Sequence, residues 1–476
     1  MHQADHWIWA GTDILEATGG NCVAGDPDRV FAYIGTDSRA IPHDGLFVAI
    51  HGETHDGHGF IEEVISSGIR GVVIGEAEAD RFPISDWGGQ GVFCVSVPDT
   101  LRALGQLATA YRRRAGIPVV AITGSNGKTS TREMAVSVMS RKFRTLFPER
   151  NFNNEIGVPL TLFRLRPDHQ WAVLELGMNH PGEIARLTRI CEPDIGVITN
   201  IGPAHLEGAG SLDGVMAAKG ELLDEMGADK TAALNADDSR VRNLARRAAQ
   251  KVLMYGCTET ADIRAKTIAP TATGVAFELD LAGTRVPVRL GTPGRFMVSN
   301  ALAAATVGYL AGLTPEDIRD GLESFRPVEG RLNVRATATG IHIIDDTYNA
   351  NPASMAATIE TLRTLSKGGR SVLVAGDMKE IGAGSADLHR DIGTLCARSD
   401  VQRLYAAGEF AEQVGKGAVD GGMPTDAVVI GNRTAIVADL MDWLKPGDWI
   451  AVKGSRAMKM EKVVNDLLAW AEEKIE

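Results

Sequence analysis

Short apolar runs alternate with amphipathic stretches along most of the chain, and they group into three blocks. In the first block, β-type runs lie at residues 46–50, 71–74 and 91–95, and a helical pattern follows at 101–113. Short runs of this kind, bounded by turn residues, are typical of buried strands. We predict a small N-terminal α/β domain over residues 1–114 that is closed by a helix.

In the second block, which covers residues 115–326, strand patterns alternate with helical patterns. The apolar runs lie at residues 119–122, 171–176, 195–199 and 231–234. This alternation indicates a parallel, doubly wound sheet. Between residues 263 and 290 the pattern changes to the two-residue alternation of antiparallel strands, and a helix that contains Asn300 follows. We predict a central domain that resembles a P-loop ATPase, with a small antiparallel addition.

The third block covers residues 327–476 and repeats the alternation of strands and helices. Its apolar runs lie at residues 341–344, 371–375, 403–406, 428–430 and 449–452. A second open, Rossmann-like α/β domain follows from this pattern. The predicted fold class is therefore α/β, with three domains.

Composition supports three packed cores and excludes one class of partner. The chain has 476 residues, of which 44% are hydrophobic, and this is enough for several domains of about 150 residues each. Lysine and arginine number 49 against 61 acidic residues, so the formal net charge is −12. Because the sequence contains no basic cluster interleaved with aromatic residues, we expect no nucleic-acid partner.

Cysteine usage and the N-terminal sequence indicate a cytoplasmic protein. The five cysteines include no CxxC pair, which indicates neither a zinc site nor a disulfide framework; they are Cys22, Cys94, Cys191, Cys257 and Cys396. Residues 1–7 lack the basic segment and apolar core of a signal peptide, and no run is long enough to span a bilayer. We therefore expect a cytoplasmic location and no membrane insertion.

A Gly-rich loop at residues 123–129 is the strongest chemical motif. It reads Thr-Gly-Ser-Asn-Gly-Lys-Thr and follows the apolar run at 119–122 directly. In such a loop Gly124 and Gly127 allow backbone N–H groups to point at phosphate oxygens, Lys128 supplies charge, and the Thr129 hydroxyl can bind Mg²⁺. A simple strand-to-helix turn is disfavoured because an amphipathic stretch begins at once after the Lys-Thr pair. The motif predicts a nucleoside triphosphate ligand.

Two further residues are candidates for a magnesium site. Glu175 ends one predicted strand and His205 follows another, so both should lie at the same edge of the sheet as the phosphate loop. Together with Thr129 they could bind Mg²⁺, which prefers oxygen ligands and leaves positions open for phosphate. For either residue alone, a helix-capping glutamate or a core histidine explains the sequence equally well.

Three loops carry dense polar side chains. Residues 151–159 hold three asparagines, which serve either as turn residues or as donors and acceptors for a polar substrate. Residues 345–352 combine two aspartates, a tyrosine and two asparagines at a strand end, and Asn351 with Pro352 also forms a helix N-cap. Residues 453–456 place a cation and a hydroxyl at another strand-to-helix turn, where either an anion site or a solvated basic turn is compatible with the sequence.

The chain resembles the Mur ligases of peptidoglycan synthesis over nearly its whole length. The short phosphate loop, the strand end at Glu175, residues 202–205, the helix with Asn300, Gly330-Arg331 and residues 453–456 stand in the order of that family. Residues 36–39, 45–49, 151–159, 175–184 and above all 345–352 are similar to the branch that adds D-alanyl-D-alanine. The Asp-Asn-Pro-Arg motif of the relatives that add a diamino acid is absent.

The resemblance implies an ATP-dependent peptide ligase that acts through an acyl phosphate. Its substrates would be UDP-N-acetylmuramoyl-tripeptide and D-alanyl-D-alanine, and its cofactors ATP and two Mg²⁺ ions, with no organic prosthetic group and no protein nucleophile. We expect a monomer. By resemblance, the ATP-binding residues are Thr123, Gly124, Ser125, Asn126, Gly127, Lys128, Thr129, Ser130, Asn300, Arg331 and Asp346. Ser38, Arg39, Asn153 and Asn154 would contact the UDP-linked substrate, and Tyr348, Asn349 and Asn351 the dipeptide.

The resemblance also implies catalytic roles for Lys128, His205 and Lys219, and metal ligation by Thr129, Glu175, His205 and Lys219. In the family the lysine that matches Lys219 is carbamylated, which would turn its side chain into an oxygen ligand. From the residues alone, Lys219 could instead be an ordinary cation that pairs with phosphate or with Glu221.

Two other functions compete with this hypothesis. Folylpolyglutamate synthetase shares a short phosphate loop, but we do not expect it to carry the pattern of residues 345–352 or the first domain. A nucleotide-binding switch should carry an Asn-Lys-x-Asp guanine reader, and the nearest candidate, residues 235–238, lacks the lysine.

Overall fold

Three sheets of five, nine and six strands, each covered by helices, and one separate two-stranded pair lie in the part of the chain that the computed structural model describes. The described residues are 7–52, 55–149, 151–271, 274–367 and 369–474, so residues 1–6, on which the signal-peptide prediction depends, lie outside them. The sheets occupy residues 9–97, 119–290 and 333–453. The α/β fold class is confirmed, whereas the predicted domain boundaries after residues 114 and 326 stay predictions.

The N-terminal region is built on a five-stranded sheet with the order β2-β7-β6-β5-β4, in which only β2 is antiparallel to its neighbour. The strands are β1 (Trp9–Ala10), β2 (Asn21–Ala24), β3 (Val30–Phe31), β4 (Tyr33–Gly35), β5 (Gly45–Val48), β6 (Gly71–Gly75) and β7 (Phe93–Val97), of which β1 and β3 form a separate pair. The helices are α1 (Gly11–Thr18), α2 (Ile61–Ser66), α3 (Ile84–Trp87) and α4 (Thr100–Ala115), with 3₁₀ turns at Gly57–Phe60 and Glu76–Arg81.

Helix α4 joins this region to the central one. Its N-terminus is capped by Asp99, which accepts hydrogen bonds from the N–H groups of Leu101 and Arg102. Its last turns bond to the next region, because the Tyr111 hydroxyl donates to the Leu165 carbonyl at 3.3 Å and Arg112 donates to the Glu192 carbonyl at 2.9 Å. The first sheet is therefore fastened to the second through one helix.

The central region holds a nine-stranded sheet with the order β16-β15-β14-β13-β12-β11-β8-β10-β9. The strands are β8 (Val119–Thr123), β9 (Thr145–Leu146), β10 (Trp171–Glu175), β11 (Ile195–Ile198), β12 (Thr231–Asn235), β13 (Lys251–Gly256), β14 (Ile263–Pro270), β15 (Val275–Leu281) and β16 (Thr284–Leu290). The helices are α5 (Lys128–Met139), α6 (Gly157–Leu162), α7 (Glu183–Cys191), α8 (Leu206–Ala209), α9 (Leu212–Glu225), α10 (Ser239–Ala245), α11 (Arg295–Leu310) and α12 (Pro315–Ser324).

The predicted antiparallel addition is part of this sheet. Strand β14 pairs in parallel with β13, and β15 and β16 then continue from it in antiparallel order. The sequence pattern did not predict β13, because the strand begins with an exposed lysine and half of it is only partly buried. A partly exposed segment of this kind lacks the apolar run that marks a buried strand.

The C-terminal region holds a six-stranded sheet with the order β17-β18-β22-β19-β20-β21, in which only β17 is antiparallel. The strands are β17 (Asn333–Ala336), β18 (His342–Asp346), β19 (Ser371–Gly376), β20 (Arg403–Ala407), β21 (Val428–Ile430) and β22 (Trp449–Lys453). The helices are α13 (Pro352–Ser366), α14 (Ser385–Arg398), α15 (Ala411–Asp420), α16 (Arg433–Trp443) and α17 (Glu461–Glu473), with 3₁₀ turns at Gly382–Gly384, Thr425–Ala427 and Arg456–Met458.

The order of the central strands reverses at β8, which lies between β10 and β11. In open α/β sheets, ligands bind in the crevice at the carboxyl ends of the strands, where the order reverses. The carboxyl end of β8 leads into the phosphate loop, and Asp346 and Lys453 end two paired strands of the C-terminal sheet. No helix in the described ranges is long and apolar enough to cross a membrane.

Candidate active site

A cavity of about 610 Å³ lies between the carboxyl ends of the central strands and the loops of the C-terminal sheet. Its walls bring together residues that are far apart in the chain, including the phosphate loop, Glu175, His205 and the loop at 346–351. The two α/β regions thus share one site.

The phosphate loop has a geometry that only glycine permits at two positions. Gly124 has φ +146°, and a Cβ there would lie 1.9 Å from the Thr199 hydroxyl. Gly127 has φ +80°, and a Cβ there would lie 2.3 Å from the Asn300 side-chain oxygen. Gly127 is also the N-cap of α5 and has no side chain to cap the helix, and the first residues of α5, Lys128 to Ser130, line the cavity. Such a helix N-terminus is a ready anion site.

Hydrogen bonds from neighbouring loops hold the phosphate loop in place. Asn200 accepts from the Asn126 N–H at 2.9 Å and donates to the Asn126 carbonyl at 3.0 Å. The Ser125 hydroxyl donates to the Gly202 carbonyl at 3.0 Å and accepts from the Gly202 N–H at 2.9 Å. The loop that follows β11 is therefore fixed to the phosphate loop.

The Lys128 side chain folds back onto the phosphate loop. Its Nζ donates to the Gly124 carbonyl at 2.8 Å. Burial lowers the pKa of Lys128 below its usual value; Glu175 opposes this effect and the Arg331 guanidinium adds to it. The lysine is thus held beside the cavity, where an anionic ligand would raise its pKa again.

Glu175 is buried and surrounded by donors. Its Oε2 accepts from the Thr129 hydroxyl at 2.9 Å and from Arg132 at 3.4 Å, and its Oε1 accepts from the Asn153 amide at 2.8 Å. Burial disfavours the charged carboxylate, but the nearby cations, first Lys128 and then Arg132, outweigh burial and lower the pKa of Glu175. Glu175 is therefore an ionised acid at neutral pH.

Lys219 is fully buried on α9 and is not among the residues that line the cavity. Its side chain is 0% exposed, and within the described ranges its Nζ has no hydrogen-bond partner. Burial lowers the pKa of Lys219 well below its usual value, and the charge of Lys128 adds to this. Glu221, the alternative partner of this lysine, accepts instead from the N–H groups of Gly182 and Ala185 at the start of α7.

His205 lies at the cavity wall and contacts the C-terminal sheet region. Its backbone is left-handed, with φ 56°, and its Nδ1 lies 3.0 Å from Oε2 of Glu380. The contact with His205 lowers the pKa of Glu380. The sequence pattern predicted His205 at this edge but gave no indication of Glu380.

The loop at 345–352 lies opposite the phosphate loop. Asp346 accepts from Lys453 Nζ at 2.5 Å and from the Thr358 hydroxyl at 2.6 Å, so the cation of the last strand is paired within the protein. The Arg331 guanidinium stacks over the Tyr348 ring at 4.1 Å, which places a planar cation and an aromatic ring on the same wall.

Most predicted site residues line the cavity, and some do not. The lining includes Ser125, Asn126, Gly127, Lys128, Thr129, Ser130, Asn153, Asn154, Glu175, His205, Asn300, Arg331, Asp346, Tyr348, Asn349 and Asn351. Thr123 is buried below the loop and donates to the Leu176 carbonyl at 2.9 Å. Ser38 and Arg39 lie between β4 and β5, away from this lining, where Arg39 pairs with Asp37 at 2.9 Å. The roles of all these residues stay predictions.

Several site residues were not predicted from the sequence. Arg132 is 2% exposed, one turn after Lys128 on α5, and a charged residue on the buried face of a helix is the pattern that could have revealed it. Asn200 and Glu380 had no local pattern, because their partners are distant in the chain.

The donors at this site fit a magnesium ion that shares its ligands with phosphate. The Thr129 hydroxyl and a Glu175 oxygen lie 2.9 Å apart beside the phosphate loop. Within the described ranges, no group of three or more His, Cys, Asp or Glu side chains is placed to hold a metal by itself. One or two protein oxygens combined with phosphate oxygens and water is the usual coordination of Mg²⁺. The buried Lys219 amine without a partner is compatible with a further oxygen ligand at that position if the lysine is carbamylated.

Comparison with known families gives three matches along the chain. Residues 30–112 match the model described as "Mur ligase family, catalytic domain", residues 122–308 match "Mur ligase middle domain", and residues 330–456 match "Mur ligase, glutamate ligase domain".

Curated relatives of this chain carry the name "UDP-N-acetylmuramoyl-tripeptide--D-alanyl-D-alanine ligase". The relative from Bacillus subtilis is 33% identical over 435 residues, which is 91% of this chain and 93% of the relative. The relative from Escherichia coli is 35% identical over 434 residues, which is 91% of this chain and 92% of the relative.

Solved structures give the same result. MurF from Acinetobacter baumannii has a TM-score of 0.88 at 32% identity and covers 98% of this chain and 99% of its own. MurF ligase from Thermotoga maritima in complex with ADP has a TM-score of 0.82 at 28% identity and covers 93% of this chain and 98% of its own. The folylpolyglutamate synthase of Mycobacterium tuberculosis, at 16% identity and a TM-score of 0.61 over 77% of this chain and 94% of its own, shares the fold alone.

Proposed function

The chain belongs to the Mur ligase family, and we propose that it joins D-alanyl-D-alanine to UDP-N-acetylmuramoyl-tripeptide with ATP as the energy source. One observation carries the proposal. The cavity holds a phosphate loop on one wall and the polar loop at 346–351 on the other, so a nucleotide and an acceptor can meet in one site.

The chemistry balances without a protein nucleophile. A carboxylate oxygen of the tripeptide attacks the γ-phosphorus of ATP, which forms an acyl phosphate and releases ADP. The free amine of the dipeptide then attacks the acyl carbon, and inorganic phosphate leaves as the amide forms and the amine loses a proton. Transfer of a phosphoryl group needs positioning and charge stabilisation more than covalent catalysis.

This chain's own residues would supply that stabilisation. The N-terminal N–H groups of α5 and the Lys128 ammonium lie where the β- and γ-phosphates would bind. Arg331 lies on the opposite wall beside Tyr348 and would add a second cation. Developing negative charge on the phosphoryl oxygens would thus meet cations from both walls.

Magnesium would be held by Thr129 and Glu175, with His205 and a carbamylated Lys219 as further ligands. When bound, it would neutralise charge on the phosphate oxygens. Arg132 would then position Glu175 from behind, because it contacts the same carboxylate oxygen as Thr129.

We propose the substrate contacts that the family resemblance implies. Asn153 and Asn154 lie in the lining and would bind the muramoyl-peptide part of the substrate. Ser38 and Arg39 lie in the N-terminal sheet region and would bind the UDP end. Tyr348 and Asn349 lie in the lining, on the loop opposite the phosphate loop, and would bind the dipeptide.

A panel of acceptors tests the proposal. ADP release is measured with ATP, magnesium and UDP-N-acetylmuramoyl-tripeptide, to which D-alanyl-D-alanine, free diamino acids or D-alanine alone is added. A parallel assay with folate and glutamate tests for the alternative activity, that of a folylpolyglutamate synthetase. We expect strong stimulation by the dipeptide only, with a product mass equal to the sum of both substrates minus water. Stimulation by folate with glutamate, and none by the dipeptide, would overturn the proposal.

A further inference from the structure

One loop of the C-terminal region, residues 377–384, touches the central region beside His205. Oε2 of Glu380 lies 3.0 Å from Nδ1 of His205, and the Glu380 carbonyl accepts from the Glu207 N–H at 3.4 Å. A Cβ added at Gly382 would lie 3.7 Å from the Glu207 backbone nitrogen, so the two loops also run close together there. Both a side chain and the backbone of this loop thus make contacts across the cavity.

The 377–384 loop is rigidly attached to its own sheet. Asp377 is 2% exposed and accepts from the N–H groups of Glu409 and Phe410 at 2.9 and 3.1 Å. The Lys379 N–H donates to the Ser455 hydroxyl at 2.8 Å, and the Met378 N–H to buried His389 at 2.9 Å. Because the loop is fixed in this way, Glu380 must move with the C-terminal sheet.

On the other side, His205 belongs to a loop that is fixed to the phosphate loop. The two hydrogen bonds between Ser125 and Gly202 lie only a few residues before His205 in that loop. The Ile201 N–H also donates to Asp238 at 2.8 Å. A displacement of the His205 loop would therefore also displace the phosphate loop.

Glu380 holds an uncommon conformation to make this contact. Its φ is +63°, in the left-handed region that residues other than glycine rarely adopt, and His205 has φ +56° on the facing loop. Such conformations persist where the surrounding structure enforces them, and they cluster at functional sites. Nδ1 of His205 lies at hydrogen-bonding distance from the carboxylate without good alignment, and no other partner among the described residues contacts it. Catalytic contacts of this kind often align only when substrates bind.

We propose that Glu380 is a positioning residue: from the C-terminal region it fixes the His205 imidazole, and it thereby couples the approach of the two regions to the geometry of the phosphate site. This inference rests on the proposed function, since it assigns His205 to the ligase site. A carboxylate that accepts from Nδ1 leaves Nε2 of the same ring directed to another ligand, which is how such pairs orient a histidine.

The test compares three variants with matched chemistry. Glu380→Ala removes the carboxylate, Glu380→Gln keeps an acceptor oxygen without the charge, and Glu409→Gln is the control. Glu409 is an exposed acid of the same region that does not line the cavity; its side chain pairs with Lys379, and the change to Gln keeps the backbone N–H that bonds to Asp377. We expect Glu380→Ala to lower kcat by about tenfold or more with a smaller effect on the KM for ATP, as is typical for partners that orient a ligand. The kcat of Glu380→Gln should lie between those of Glu380→Ala and the wild type. The kcat of Glu409→Gln should remain within about twofold of the wild type, as expected of an exposed surface pair.

Two readouts separate positioning from a merely structural role. If Glu380 acts through His205, the double variant His205→Ala/Glu380→Ala will be no slower than His205→Ala alone. Small-angle scattering with a non-hydrolysable ATP analogue and the UDP-linked tripeptide should show less compaction for Glu380→Ala than for the wild type. Equal kcat for Glu380→Ala and Glu409→Gln, multiplicative losses in the double variant, or equal compaction would overturn the inference.

The scattering experiment needs no turnover, so it distinguishes a failure of the proposed function from a failure of the coupling through Glu380. A wild type that compacts but does not use the dipeptide contradicts the proposed function. In that case unequal compaction of the wild type and Glu380→Ala still supports the coupling, and equal compaction still overturns it.

Discussion

The Asn351 side chain connects a helix of the C-terminal region to the phosphate loop of the central region. Its Nδ2 donates to Oδ1 of Asn126 at 2.7 Å, while its Oδ1 accepts from the Ser354 N–H at 2.9 Å as the N-cap of α13. Both polar atoms of Asn351 are thus engaged within the protein, and its contact with the dipeptide stays a prediction. The same side chain caps a helix and holds Asn126, so the two roles can be separated by substitution.

We predict that Asn351→Ser and Asn351→Ala lower turnover equally, by about tenfold, because neither side chain can reach Asn126 and each loses one buried hydrogen bond of about 1.5 kcal/mol. The two variants should differ in stability. Serine still caps α13, whereas alanine costs about 1 kcal/mol. Turnover and urea unfolding measured on both variants check this. Normal turnover in the serine variant would show that the bond to Asn126 has no role in catalysis.

Lys128 should be essential for turnover and dispensable for folding. We predict that Lys128→Ala lowers kcat by at least about a hundredfold, since a lost contact of a few kcal/mol with the transition state has that effect. Lys416→Ala, an exposed lysine of α15, is the control and should be neutral. Steady-state kinetics and circular dichroism check both variants. A folded Lys128→Ala protein with near-normal kcat would refute the role.

Glu175 should stabilise the protein in a pH-dependent way. Its buried carboxylate accepts from the Thr129 hydroxyl and the Asn153 amide and contacts Arg132, so Glu175→Gln weakens several charge-assisted contacts at once and should cost about 2 kcal/mol. The folded pKa of Glu175 lies below the ordinary value of 4.5, so its contribution is present above that pH and is lost as the pH falls through the lowered pKa.

The midpoint of thermal unfolding, measured for both proteins from neutral to acid pH, checks this prediction. The gap between wild type and Glu175→Gln should be largest at neutral pH and should shrink in acid. A gap that is constant across the range would mean that the charge of Glu175 does not stabilise the fold.

Lys219 should carry a carbamate in the active protein. Its buried Nζ has no hydrogen-bond partner in the described ranges, and a carbamate would give that position oxygen atoms that a cation can bind. We predict that ¹³CO₂ gives the wild type, but not Lys219→Ala, a carbamate signal in ¹³C NMR. Lys219→Ala should be nearly inactive, and acetate should restore part of its activity. Rescue by a small amine and not by acetate would show that Lys219 acts as a cation.

Those parts of the fold that depend on local pattern were predicted from the sequence. Buried strands such as β8, β10 and β22 stand out as apolar runs, and the phosphate loop is a contiguous motif. The family that these residues resemble was confirmed by three matches along the chain. Strands β13 and β17 were missed because they are edge or partly exposed segments without such runs.

The site itself was only partly predictable, for a physical reason. The links from Asn351 to Asn126 and from Glu380 to His205 depend on how two separately folded regions pack, and short-range patterns carry no information on that packing. Conversely, Thr123 belongs to the motif but is buried below the cavity, because its hydroxyl bonds to the adjacent strand end at Leu176.

Transfer of a carboxylate oxygen to phosphate shows whether the amide forms through an acyl phosphate. The UDP-linked tripeptide is labelled with ¹⁸O in its terminal carboxylate and is incubated with ATP, magnesium and D-alanyl-D-alanine, and the inorganic phosphate is analysed by mass spectrometry. We predict one ¹⁸O atom in each phosphate released and no labelled phosphate when the dipeptide is omitted. Dipeptide-dependent release of unlabelled phosphate would contradict an acyl phosphate intermediate, because the carboxylate oxygen would then never have been bonded to phosphorus.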